Sequence, residues 1–143
     1  MYVIKKVILF SPWLDISSTS TLITSKKIND EILGSDVFKK SAAIYTYESN
    51  LTNPLVSPLY ATEDDLKNFP PVIIQMGARE ALLENARIFA QNLKKAGNEC
   101  ELDVWPDMMF MFQMADEFLY ESHLALDKIG KMITGSENFQ RQK

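Results

Sequence analysis

Few side chains in this sequence could do acid, base or nucleophile chemistry together. It has one histidine, His123, and one cysteine, Cys100. A lone thiol can form no internal disulfide and cannot build the multi-cysteine cage of a structural zinc site, so no metal or other cofactor is expected. It suits a reducing compartment, and the cytoplasm is the expected location. His123 falls at the flank of an apolar helical stripe, where a partly exposed helical histidine is the expectation. Glu80 follows a short apolar run and stands where a helix should begin. There the N-terminal dipole favours a carboxylate by ~0.3–1 kcal/mol, which is the structural alternative to any catalytic role. Met108, Met109, Met111 and Met114 with Phe110 and Phe112 form a soft, adaptable apolar stretch, for which ordinary core filling is the expectation. Trp13 and Asp15 could line a pocket, or serve packing and loop hydrogen bonding.

The elements that must position these groups are legible from periodicity. Val7 to Phe10 is apolar and β-branched without alternation, the habit of a strand covered on both faces in a parallel sheet. It stops at Ser11-Pro12. Asp15 to Asp36 turns to Ser, Thr, Lys and Asn, which predicts a surface loop or short lid-like segment with little core. Asp36 to Tyr45 predicts a helix, and Asn53 to Pro58 a proline-punctuated loop. Val72 to Met76 is a second buried strand, ending at Gly77. Leu82, Ala86, Phe89 and Leu93 recur at helical spacing, with Gly97 at the C-cap position. Leu102, Val104 and Trp105 suggest a third strand. Ala115, Phe118, Leu119, Leu126, Ile129 and Ile133 predict one face of a closing helix that ends near Gly135. The alternation of strands with helical crossovers predicts an α/β layered fold with a mainly parallel sheet.

The chain has 143 residues and is 46% hydrophobic, enough for one domain, expected over 1–135 with a polar tail at 136–143. Fifteen basic and nineteen acidic residues give a formal charge of −4, without a basic run able to track a phosphate backbone, so nucleic acid is not an expected partner. No apolar stretch approaches the ~20 residues of a membrane span. Lys5 and Lys6 before Val7 to Phe10 do not make a signal peptide, because Pro12 and Asp15 cut the apolar run short.

Four landmarks resemble the carboxy-terminal half of hormone-sensitive-lipase-like esterases of the α/β-hydrolase fold. They are Ser11-Pro12-Trp13-Leu14-Asp15, Pro54-Leu55-Val56-Ser57-Pro58-Leu59, Gly77-Ala78-Arg79-Glu80-Ala81-Leu82, and Trp105-Pro106-Asp107-Met108. Their order and spacing cover Val7 to Ile133. The resemblance implies that the three strands are the last three of the family's sheet. It also implies carboxylic-ester hydrolysis by a serine, a histidine and an acid, aided by an oxyanion loop.

This chain departs from that pattern at three of the four requirements. Its glycines are Gly34, Gly77, Gly97, Gly130 and Gly135, no two of them four apart, so there is no Gly-x-Ser-x-Gly nucleophile turn. There is no His-Gly-Gly-Gly oxyanion loop. The resemblance places the acid at Glu80 and the base two positions after Met108, where Phe110 stands and offers no proton acceptor. The expectation is a truncated, degenerate esterase or lipase that is inactive alone. Two alternatives are a binding module that uses its exposed sheet edge, and one subunit of a split hydrolase completed by an amino-terminal half. In the resemblance, the strand Val7 to Phe10 loses the neighbour on its amino-terminal side. Pairing of two copies through that edge is therefore expected, giving an antiparallel junction within a six-stranded sheet.

Overall fold

The computed structural model describes residues 3–17, 19–24 and 30–135. Three strands, β1 (Val7–Phe10), β2 (Val72–Gly77) and β3 (Cys100–Trp105), form one sheet in the order β1-β2-β3. Both pairings are parallel, with Val7 opposite Val72 and Val72 opposite Cys100. The helices are α1 (Thr21–Thr24), α2 (Ser35–Tyr45), α3 (Glu63–Leu66), α4 (Leu83–Lys95) and α5 (Tyr120–Thr134). The expected α/β layering with a parallel sheet is what the chain adopts. The polar tail at 136–143 lies outside the described residues.

The chain divides into two compact units, Met1–Phe110 and Met111–Lys143. The first unit holds the sheet. Every residue of β2 is buried, as a central parallel strand without alternation should be. β1 is half-buried throughout, so the expected cover on both faces belongs to β2 alone, and β1 forms an end of the sheet. Val72, Ile74 and Met76 share one face of β2 and join a core with Leu82, Ala86, Phe89, Ala90 and Leu93. The helical stripe read from the sequence is therefore the face of α4 turned to that core. Each fully buried Val, Ile, Leu, Met or Phe side chain there contributes roughly 1.5–3 kcal/mol. Ala96 caps α4, and Gly97 follows with φ of 86°, a left-handed turn that glycine adopts without Cβ strain. β3 begins at Cys100, two residues before the expected apolar triplet.

The expectation that Asp15 to Asp36 carries little core is corrected over 15–22, while the described residues 30–36 are exposed or half-buried. Ser18 and residues 25–29 lie outside the described residues, but Asp15, Ile16, Ser17, Ser20 and Leu22 are buried. Hydrogen bonding makes this possible, because the buried polar groups find local partners. Asp15 Oδ1 accepts from Ser17 N at 3.0 Å. Ile16 N donates to Ser57 Oγ at 3.0 Å, and Ser57 Oγ donates onward to Leu51 O at 2.6 Å. Ser57, in the proline-punctuated loop, is fully buried and ties that loop to the segment after β1. Trp13 donates its indole N–H to Asp15 O and meets Phe38 edge-on at a centroid distance of 5.1 Å. Packing and loop hydrogen bonding thus account for Trp13 and Asp15.

In the second unit, α5 begins at Tyr120, after a 3₁₀ turn over Phe112–Ala115. Its buried face is Ser122, Ala125, Ile129 and Met132, whereas Phe118 and Ile133 are exposed. The expected stripe included Ile129 but was otherwise displaced. It counted residues before Tyr120 as helical, and it passed over Ser122, whose hydroxyl is satisfied by Phe112 O at 2.5 Å and can therefore be buried. The helix ends at Gly135, as expected, with φ of 79°.

Candidate active site

At the carboxyl end of the sheet, the chain leaves β2 through a turn that carries Glu80. The carboxylate does not cap the following helix. It folds back onto the end of the strand, where Glu80 Oε1 accepts from Gly77 N at 2.5 Å and from Ser11 Oγ at 2.8 Å. Ser11 arrives there because the parallel register sets Phe10 opposite Gln75, so the first residue beyond β1 lies beside the end of β2. Ser11 N also donates to Gln75 O at 3.1 Å, and Ser11 holds the left-handed conformation with φ of 44°.

Glu80 is only 6% exposed, and its Oε2 has no hydrogen-bond partner among the described residues. Burial is the main reason that its carboxyl is pushed up to about 7. The bonds from Gly77 and Ser11 oppose the rise, and the negative charge of Asp30 adds to it. Asp30 is held nearby through Ala81 N, which donates to its Oδ2 at 2.8 Å. Glu80 is thus a carboxyl group with one oxygen fixed and the other open to a donor.

The turn after β3 is seated on the same place. Arg79 N donates to Met108 O at 3.1 Å and Ala78 N donates to Trp105 O at 2.8 Å. The fit leaves no room for a side chain at Gly77, since a Cβ there would lie 2.1 Å from Met108 O. Phe110 follows two residues later and packs, partly buried, against the core. This end of the sheet therefore brings the Glu80 turn against the segment that leads to Phe110, but Phe110 supplies no base.

Two other chemically capable residues stand out in the sequence, Cys100 and His123. Cys100 is buried at the start of β3, and burial pushes its thiol up to about 11, so it is a poor nucleophile at neutral pH. His123, in the second unit, is exposed and pairs with Asp116 Oδ1 at 3.0 Å. No group of three or more potential metal ligands occurs among the described residues. Glu80 is legible in the sequence as a candidate, whereas Ser11 and Asp30, 69 and 50 positions away in the chain, are not legible as its neighbours. The only available signal for Ser11 was its place at the end of a parallel strand.

Residues 2–114 match the sequence model of the α/β-hydrolase fold. The chain belongs to that family. It is 30% identical over 129 residues to an esterase of Acinetobacter venetianus, an alignment covering 90% of this chain and 42% of that one. It is 28% identical over 123 residues to an acetyl-hydrolase of Streptomyces hygroscopicus, covering 86% and 40%. A crystal structure of an esterase from the bacterial hormone-sensitive lipase family superimposes with a TM-score of 0.79 at 34% identity, covering 89% of this chain and 42% of that one. The chain is thus a partial α/β hydrolase of the hormone-sensitive-lipase-like esterase type, and it spans about two fifths of the length of the curated relatives it matches. No helix among the described residues is long and apolar enough to cross a membrane.

Proposed function

We propose that this chain is the acid-bearing, carboxy-terminal part of a carboxylic-ester hydrolase and that it does not hydrolyse esters by itself. The buried Glu80 carboxylate with its open Oε2 supports the first half of this reading, since that is the geometry of an acid waiting for an imidazole donor. The residues supplied support the second. Without the Gly-x-Ser-x-Gly turn and the oxyanion donors, and with Phe110 at the base position, no serine can be activated and no oxyanion held. The test is hydrolysis of a short-chain p-nitrophenyl ester by the chain and by its Glu80→Ala and Cys100→Ser variants. Equal background rates are expected in all three. Saturable turnover that survives Cys100→Ser and vanishes with Glu80→Ala would overturn the inactive reading.

The place of β1 at the end of the sheet favours a second reading, in which the chain works by joining another chain. Val7 N and Ser11 N donate toward β2, so the backbone groups of Ile8 and Phe10 turn to the open side. Val3 and Ile4, just before the strand, are largely exposed. Such an edge accepts a second copy of this chain or a complementing amino-terminal hydrolase half. Sedimentation equilibrium at micromolar concentration is expected to show a species heavier than 16.3 kDa. Ile8→Pro, which removes an outward donor, is expected to reduce it. A well-folded wild-type monomer would rule out self-pairing.

A further inference from the structure

Of the groups around Glu80, the hydroxyl of Ser11 has no counterpart in the requirements of the triad. Its bond to the carboxylate joins residues 69 positions apart and is buried. Together with Gly77 N, it saturates a single oxygen. Both donors meet Oε1 and none of the described groups meets Oε2. A carboxylate on three rotatable bonds would otherwise be able to present either oxygen in either direction. Gly77 alone cannot prevent this, because one backbone donor fixes one contact but leaves rotation about it. The second donor, set just past the end of the neighbouring strand β1, removes that freedom.

The cost borne at Ser11 fits such a role. It is a non-glycine residue at φ of 44°, a conformation disfavoured for residues with a Cβ. Glycine would relieve the strain but would lose the hydroxyl. We propose that Ser11 is the positioning residue of the acid, holding Glu80 Oε1 against Gly77 so that Oε2 is the carboxylate's one open acceptor. This rests on the reading of Glu80 as the acid.

Two titrations test the two ideas separately. The first follows the Glu80 carboxyl carbon by ¹³C NMR in the full chain. A hydroxyl donor favours the charged carboxylate, so Ser11→Ala and Ser11→Gly should each raise the Glu80 midpoint by about one to two pH units, the size expected for a hydrogen bond to a charged group. The two variants differ in backbone strain, and equal shifts assign the effect to the hydroxyl. Ser57→Ala, which removes a buried hydroxyl outside the cluster, should lower stability and leave the Glu80 midpoint in place. An unchanged midpoint in both Ser11 variants would overturn the proposal.

The second titration uses Phe110→His combined with His123→Gln, which leaves one imidazole. With Ser11 present, pairing with Oε2 should raise that imidazole above the ordinary ~6.5, and Ser11→Ala should cancel most of the rise. A rise that persists in full without Ser11 would overturn the positioning role while leaving the acid reading intact. No rise in either background would instead overturn the acid reading, and the positioning role with it.

Discussion

The turn after β2 and the turn after β3 meet at one end of the sheet, yet they differ in kind. The first is polar and over-determined: Glu80 is buried, held by one donor from β2 and one from the residue after β1, and influenced by Asp30. The second is apolar where it would matter, since Met108 contributes its backbone and Phe110 only a hydrocarbon ring. A buried carboxyl with an unpartnered oxygen is costly unless something satisfies it. A loop that ends in Met and Phe carries no such debt. The contrast fits the proposed reading of Glu80 as an acid whose supporting geometry stands without a base opposite it.

The largest effect should come from breaking the seat on which both turns depend. Gly77→Ala places a methyl 2.1 Å from Met108 O, a backbone atom that cannot swing aside, so the turn after β3 must lift away. A loss of about 3 kcal/mol in urea unfolding is expected, at the upper end for overpacking. An unchanged midpoint would show that the two turns are not in contact.

A smaller effect sharpens the electrostatic half of the comparison. The carboxyl of Glu80 lies at about 7 in the folded chain and at its ordinary value of 4.5 when exposed. Below 4.5 it is protonated in both states. Between 4.5 and 7 the unfolded chain has released the proton and the folded chain retains it, so stability falls as pH rises through this window. Glu80→Gln, which mimics the protonated form, should lose this component of the slope. The expected gain of the variant over the wild type is on the order of 1–3 kcal/mol at pH 8 and nothing at pH 4, read from urea midpoints across that range. Parallel stability profiles for the two proteins would mean that Glu80 ionises freely in the fold.

By itself, the order of residues determined the layering. Apolar runs at Val7 to Phe10 and Val72 to Ile74 can be satisfied only near or within a sheet covered by helices, and the spacing of Leu82, Ala86, Phe89 and Leu93 can bury one face only as a helix. Those are local patterns, and they survive translation into structure. It also determined that no Gly-x-Ser-x-Gly spacing occurs and that Phe stands at position 110, because neither needs a fold to be read. The burial of Ser17 and Ser20 was not legible, because a hydroxyl is bearable in the core only through a particular partner, such as the Tyr60 hydroxyl beside Ser17. The buried face of α5 was hidden for the same reason, since Ser122 counts as polar until Phe112 O accepts its proton. Only the tertiary structure decided how Glu80 is held. Parallel register carries Ser11 across 69 residues to the carboxylate, and the absence of a side chain at Gly77 lets the next loop close over it. Sequence periodicity records which way a residue faces, whereas a hydrogen bond between distant residues depends on strand register and on angles that no local pattern encodes.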